Sequence, residues 1–512
     1  MLLKPDDTCW RVDKADQAAL IIDTADYFDA LLRAMKRARH AIYLLNWAFE
    51  AQTLFHPQEG CTGPESDRIG VFLKALAEAK PHLDVRLLCW KSALPVAATQ
   101  DWFTLKDRKT FAGSRVKLVL DGKLPLGASH HQKAVVIDDA VAFCGGADIG
   151  PERWDTPEHM DDNPRRTTMR HTHGNSEQDF DSRHELMGLV TGPPAVALGE
   201  LFRDRWERAT GERPPRPAAT KPFWPGGVEP QFTEVAAGLS RTYGAWRKFP
   251  AVREVERLHL AGIAAARRTI YMENQYFTSP LIASALARRL AEPKGPEVVL
   301  IGTEHSPSYF DQATMDQTRT RFLETVRRAD KHGRLKTYSP VTALGRIIIV
   351  HAKLTIIDDD LLRIGSANIN NRSFGFDSEC DLSLEAQGRT APQTRRRIAA
   401  LRTRLIAHWL GCDDATVSAA ERREGGVGAG LEALRNAGYV RLRPMLAAPV
   451  KGLSALIADY HVGDPFMPDD SWRCWRRKRE ARNAARRGSD TIARKSEADA
   501  GPDAAGGGRR AQ

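Results

Sequence analysis

The sequence predicts an α/β protein built twice: two tandem α/β sandwich domains that meet face to face across one site. Three observations carry that prediction. The same eight-residue signature occurs twice, 220 residues apart: His131-Gln132-Lys133 leads through four residues to Asp138, and His351-Ala352-Lys353 leads through four to Asp358. After each Asp, six residues pass before a small pair, Gly145-Gly146 in one copy and Gly365-Ser366 in the other, and two positions further on come Asp148 and Asn368. The order of amphipathic helices and apolar strands around the first signature recurs around the second. The third observation is the stretch between them, 211–233, with proline at 214, 215, 217, 222, 225 and 230, which reads as a stiff, irregular connector.

The first half opens with Tyr27, Phe28, Leu31, Leu32, Met35 and Ala38 at helical spacing, running into an apolar strand over Ala41–Phe49. A helix at Arg68–Ala79 and strands at Val85–Trp90, Val116–Leu120, Lys133–Ile137 and Val141–Cys144 follow, and a helix at Ala195–Arg208 closes the unit. The second half runs in the same order. A helix at Val252–Arg268 feeds a strand at Thr269–Phe277, and a helix at Leu281–Leu290 precedes the strand Val298–Gly302. A long helix over Gln312–Ala329 leads to strands at Leu335–Tyr338, Ile347–Ile357 and Leu362–Gly365, and a helix at Arg395–Leu410 ends the unit. Alternation of this kind gives an α/β sandwich in each half. The expected divisions are 1–212, the connector 213–233, 234–412, an extension 413–470 and a basic tail 471–512, read as disordered from position 488 onward because it lacks periodicity.

The charge is unevenly placed. Of a net +10, residues 471–512 contribute +7, from twelve Lys/Arg against five Asp/Glu, so the other 470 residues carry only +3. A near-neutral body argues against a protein that coats nucleic acid. No run of apolar residues is long enough for a transmembrane helix or a secretory signal. Seven scattered cysteines with no C-x-x-C pair suggest neither a disulfide framework nor a zinc site, and point to a reducing cytoplasm.

Alternate side chains of a strand share a face, so His131 and Lys133 point one way, as do His351 and Lys353. Asp138 and Asp358 cannot share that face and are expected at hairpin turns, bonding local backbone N–H groups. Gly146 allows backbone to approach an anion, while Ser366 and Asn368 add neutral donors. Two imidazoles and two ammonium groups around one anionic centre suit phosphodiester cleavage. One neutral His attacks phosphorus, the other protonates the leaving alcohol, and the lysines hold the phosphoryl oxygens, so neither metal nor other cofactor is needed. A carboxylate behind each imidazole would fix its tautomer; Glu379 is the second-half candidate and Glu185 the first-half one.

These motifs resemble those of the phospholipase D superfamily. The segment VHAKLTIIDDDLLRIGSANINNRSFGFDSE matches its pattern almost throughout, and YMENQYF (Tyr271–Phe277) and GGADIGPERWD (Gly145–Asp155) look like the phosphatidylcholine-type enzymes rather than the short nucleases. The resemblance spans roughly 15–410 and implies two mixed-sheet α/β/α domains with one active site at a pseudo-two-fold interface. It also implies transfer through a phosphohistidine, with His131 as nucleophile and His351 as acid/base. Asp148 departs from the family's usual Asn, which places its contact with phosphate in doubt unless it is protonated or paired. No PX-, PH- or C2-like segment and no paired N-terminal membrane helices are recognised, so the compact bacterial-type enzyme is the nearest match. The expected partners are a phospholipid substrate and, transiently, a membrane surface, with a cytoplasmic location, peripheral on the inner face of the membrane. The leading expectation is hydrolysis to phosphatidic acid with transfer to alcohols. A cardiolipin-synthase-like phosphatidyltransferase is the nearest alternative, followed by a nuclease and a non-catalytic lipid-binding protein. The oligomeric state is not legible.

Two further features remain. The segment Trp472–Arg487 has eight basic residues, one Glu and two tryptophans, which suits an anionic lipid surface, RNA, or simply solvent. His159, His171, His173 and His184 cluster in sequence, but no third and fourth ligand spacing is evident, so they read as a polar insertion rather than a metal site. His130 should face away from His131.

Overall fold

A computed structural model describes residues 1–91, 103–166, 182–308, 311–447 and 451–500. Its first half comprises β1 (Arg11–Ile22), α1 (Thr24–Lys36), β2 (Ala41–Asn46), α2 (Ile69–Ala79), β3 (Asp84–Trp90), α3 (Phe103–Phe111), β4 (Lys117–Asp121), β5 (Ala134–Ile137), β6 (Val141–Gly145), β7 (Ser182–His184), β8 (Leu186–Thr191) and α4 (Pro193–Thr210). The second comprises β9 (Phe232–Tyr243), β10 (Val252–Arg253), α5 (Glu254–Ala265), β11 (Thr269–Asn274), α6 (Pro280–Ala291), β12 (Glu297–Ile301), α7 (Gln317–Ala329), β13 (Leu335–Pro340), β14 (Ile348–Val350), β15 (Lys353–Ile357), β16 (Leu361–Gly365), α8 (Asn371–Gly375), β17 (Glu379–Glu385) and α9 (Ala391–Leu410). Beyond them lie α10 (Asp414–Glu424), α11 (Val427–Asn436), β18 (Leu442–Pro444), α12 (Leu453–Asp459) and α13 (Arg477–Ala500).

All the strands but β7 and β14 form one continuous mixed sheet, ordered β18-β13-β12-β11-β15-β16-β17-β9-β1-β8-β6-β5-β2-β3-β4, with β10 beside β9. Reading outward from the centre, β9-β17-β16-β15-β11-β12-β13 mirrors β1-β8-β6-β5-β2-β3-β4. The two halves are therefore joined edge to edge by the antiparallel pair β1 and β9, in register from Arg11 opposite Leu239 to Ala18 opposite Phe232. Both joining strands are twelve residues long. The sequence reading missed them because Arg11–Gln17 is mostly charged or polar, and because the connector was carried to Thr233, two residues into β9. The proline-rich stretch 211–231 carries no helix or strand, as proline's missing N–H and fixed φ dictate.

Every residue of β2, β5, β6 and β8 is buried, so these strands read as unbroken apolar runs covered on both faces. One face carries a core shared by both halves, to which Leu198, Phe202 and Trp206 of α4 and Leu401, Leu405 and Trp409 of α9 all contribute. On that face Phe202 stacks on Tyr43 with ring centres 4.5 Å apart. The opposite face carries two separate cores, one under α1 and α2 and one under α5, α6 and α7. The layering is α/β/α.

Two expectations are corrected here. The single strand expected over 347–357 is broken: β14 leaves the main sheet and pairs in parallel with β7 of the other half, and β15 resumes at Lys353. The break exists because the His351 N–H donates to the His184 carbonyl at 2.9 Å, taking the chain across the interface. The tail is not disordered through 500. Arg477–Ala500 is helical and packs on α6, burying Ala484 and Ile492. Ala484, Gly488 and Ile492, four apart, make a narrow face of small and apolar side chains that composition alone conceals. Residues 501–512 lie outside the described residues.

Candidate active site

Each signature straddles a strand whose two ends do different work. At the far end, Asp138 and Asp358 occupy hairpin turns at φ 55° and 52°. Their carboxylates do not bond local amides. Asp138 accepts from the N–H groups of Arg39, His40 and Ala41, and Asp358 from those of Arg267, Arg268 and Thr269. Each pins the turn from a helix into the neighbouring strand, β2 or β11. Both sit at the end of the strand away from the imidazoles, so their work is to fix the strand that bears the lysine.

At the near end the pairing is crossed. His131 Nδ1 lies 2.9 Å from Glu379 Oε2, and His351 Nδ1 lies 2.9 Å from Glu185 Oε2. The expectation that each half supplies its own carboxylate is thus corrected: Glu379 of the second half serves the first-half His, and Glu185 the second-half one. The backbone explains the exchange. The His131 N–H donates to the carbonyl of Ser378, and the His351 N–H to that of His184, so each motif pairs with the residue preceding the other half's Glu. Glu379 is itself held by hydroxyls from Ser366 and Ser373. Ser366 therefore orients a carboxylate, which was not its expected role. With Nδ1 donating to a carboxylate, the Nε2 lone pair of each imidazole is available for chemistry.

Lys133 and Lys353 are fully buried, and each donates to the carbonyl of its own motif histidine. Lys353 also lies 3.5 Å from Gln275 Oε1. Burial together with Lys133 and Lys353 holds the His131 imidazole well below its ordinary value. Burial with Lys353, Arg153 and Arg183 does the same to His351. Burial and the neighbouring cations also push both ammonium groups down, Lys353 the further. An anion bound among these groups would favour the charged form of each.

Gly146 faces this centre: a Cβ there would lie 3.1 Å from the His351 carbonyl oxygen and 3.2 Å from Lys353 Cδ. Asp148 is buried and ion-paired with Lys133 at 3.4 Å, and it accepts from the Trp47 and Ala48 amides. Burial opposes its charge, but Lys133 and Arg153 hold it below the usual carboxylate value, so it stays ionised as a partner of Lys133. The Asn368 N–H donates to Ser373 Oγ, and its buried Oδ1 has no hydrogen-bond partner. His130 points away and bonds Asp121 at 3.1 Å. Sequence reasoning missed Arg153 and Arg183, two buried cations near His351. Arg153 stood inside the quoted segment ending at Asp155, and its guanidinium lies 3.7 Å from Glu185 Oε1. Of the histidine-rich stretch, His171 and His173 lie outside the described residues.

Residues 34–216 match the family model described as phospholipase D, and residues 260–401 the model described as cardiolipin synthase, PLD-like domain. Phospholipase D1 of Saccharomyces cerevisiae is 23% identical over 498 residues, covering 79% of this chain and 29% of that protein. Cardiolipin synthase A of Pseudomonas putida F1 is 26% identical over 378 residues, covering 73% of this chain and 66% of that protein. The chain thus spans less than two thirds of these relatives' own length. A crystal structure of phosphatidylserine synthase from Haemophilus influenzae superposes with a TM-score of 0.53 at 14% identity, over 78% of this chain and 88% of that one, which speaks for the fold. A duplicated sheet, a twofold His/Lys signature and two family models that together take in most of the chain lead to one assignment: the chain belongs to the phospholipase D superfamily.

Proposed function

We propose that the protein is a phospholipase D-type phosphodiesterase that cleaves glycerophospholipids to phosphatidic acid and a free head-group alcohol. The observation that carries the reading is the pair of imidazoles, each held at Nδ1 by a buried carboxylate, beside two buried lysines. In the first step His131 Nε2 attacks phosphorus, the P–O bond to the head group breaks, and His351 gives the departing alkoxide its proton. In the second, His351 takes a proton from water, the water oxygen attacks phosphorus, and the N–P bond breaks. Phosphatidic acid leaves, His131 is regenerated and His351 is again protonated. His131 suits the nucleophile because its side chain is 16% exposed against 9% for His351. The negative charge of the phosphodiester offsets the lysines and lifts His351 back toward its protonated form. The lysines then stabilise the charge that develops on the phosphoryl oxygens, and no step calls for a metal.

An alcohol in place of water at the second step makes the same machinery a phosphatidyltransferase. That reading is favoured by the relative named cardiolipin synthase A. Contact with a bilayer is assigned to the surface bearing Trp472 and Trp475, 57% and 65% exposed and set among arginines. No helix among the described residues is long and apolar enough to cross a membrane; the contact we propose is a peripheral one, on the cytoplasmic face. The deciding experiment incubates the protein with mixed phospholipids and a primary alcohol and separates products by head group. Phosphatidic acid with phosphatidyl-alcohol supports the lipase, cardiolipin without phosphatidic acid supports the transferase, and no product from any phospholipid sinks both.

A further inference from the structure

Behind the active site, on the side of Glu185 away from His351, four side chains converge from both halves of the molecule. Asp23 follows β1, His159 stands in the loop after β6, His184 ends β7, and His408 comes from α9 of the second half. One ligand atom from each lies within 4.8 Å of all the others. His159 Nε2 is 3.2 Å from His408 Nε2 and 3.6 Å from Asp23 Oδ2, and His408 Nε2 is 4.0 Å from Asp23 Oδ2. A tetrahedral shell with bonds of about 2.0–2.1 Å sets its ligand atoms about 3.3 Å apart, so only small movements separate this arrangement from a closed shell.

Two independent features point to a cation at the centre. First, two of the convergent atoms have no hydrogen bond of their own. Asp23 Oδ2 and His184 Nδ1 are fully buried without a hydrogen-bond partner. His184 Nδ1 approaches Asp23 Oδ1 at 3.0 Å without the geometry of a hydrogen bond. Second, the far nitrogens of two imidazoles are backed by carboxylates: His159 Nδ1 lies 2.9 Å from Asp155 Oδ2, and His184 Nε2 lies 3.1 Å from Glu273 Oε2. A carboxylate behind a ligating imidazole fixes the tautomer and raises its basicity, and is the ordinary support of a metal-bound histidine. With the far nitrogen of each ring held by a carboxylate, the near nitrogens of His159 and His184 face inward. Sequence spacing does not reveal this set of four, because Asp23 and His408 are far in the chain from the histidine-rich stretch.

The geometry points to a structural zinc site made by Asp23, His159, His184 and His408, closed by four protein ligands and clamping the two halves together behind Glu185. Three imidazoles and a carboxylate suit zinc by donor type. The site is buried and its four ligands leave no open position, so its task is positional. Asp23 links it to the chemistry: its Oδ1 accepts the Glu185 N–H at 3.0 Å, and its own N–H donates to the Glu185 carbonyl at 2.8 Å. A cation that fixes Asp23 therefore fixes the backbone of the residue on which His351 rests.

The test is metal analysis of the full-length protein, expressed without a histidine tag in zinc-supplemented medium, gel-filtered and measured by mass spectrometry of the elements. About one zinc per chain is expected, with the visible bands of tetrahedral cobalt after exchange. His408→Ala should lose the metal, and Asp155→Asn should weaken its retention against a chelator by about 10- to 100-fold. Variants count only if they elute as the wild type does; should neither fold, the wild-type stoichiometry and cobalt spectrum decide. Wild-type protein that stays substoichiometric after dialysis against zinc overturns the site, leaving His184 as an imidazolium between Asp23 and Glu273. An octahedral cobalt spectrum, or full metal content in folded His408→Ala, overturns it equally.

Discussion

Glu379 and Glu185 each reach across the molecular midline, and the two tasks proposed for the imidazoles they hold are ones that mutation should separate. His131→Ala should abolish both turnover and acid-stable labelling by radiolabelled lipid, because no group remains to accept the phosphoryl. Label retained on that variant would overturn the choice of nucleophile. His351→Ala should lose about 10²- to 10⁴-fold on a natural ester but far less on a nitrophenyl ester, whose leaving group needs no proton. An equal loss on both esters would count against the acid role. The His131 ring must be neutral to attack, and burial with Lys133 and Lys353 holds its proton affinity well below the ordinary imidazole value. Since a lowered value keeps the ring neutral as pH falls, the acidic limb of kcat/KM should lie below pH 6.5, the ordinary value. A limb at or above that pH would contradict the environment described. At this scale the sequence was legible wherever identity and local spacing suffice. His131, Lys133, His351 and Lys353 could be named from the signature alone. The partners could not be assigned correctly, because His131 and Glu379 are 248 residues apart and nothing local tells which half a carboxylate will serve.

Among the elements, α13 departs furthest from expectation, and it is where a single atom is most informative. Gly488 lies against α6, where a Cβ would sit on the Leu281 carbonyl oxygen and close to Ser284 Oγ. In an open helix Gly→Ala gains about 1 kcal/mol of helix propensity. Here overpacking against backbone costs about 1–3 kcal/mol, and a carbonyl inside α6 cannot yield as a side chain can, so the loss wins. Gly488→Ala should lower the melting temperature, and a rise in calorimetry would show that α13 does not dock as described. The strands were readable from their apolar runs because both faces of β2, β5, β6 and β8 are covered. The long joining strands were not, since the first half of β1 is mostly charged or polar and only partly buried. The tail helix was hidden for a related reason: its docking face is small side chains, which carry no hydrophobic signal of their own.

For the whole molecule, the duplicated order of elements made the architecture predictable, while its closure into one sheet was not, because pairing between β1 and β9 spans more than 200 residues. That closure, with the shared core of α4 and α9, makes the halves interdependent. Residues 1–212 and 213–512 produced as separate polypeptides should each be inactive, and co-expression should restore turnover; activity from either piece alone would refute a composite site. The crossed carboxylates carry a consequence for how the protein is made. Chains emerge from the ribosome N-terminus first, and a domain can fold before its successor is synthesised. When the first signature has formed, Glu379 has not yet been translated, so the imidazole of His131 lacks its orienting acid and the second ammonium is missing. A nascent chain is in this respect inert: the two imidazoles and two ammonium groups come together late, at a single moment, when the polypeptide is long enough to complete its own twofold.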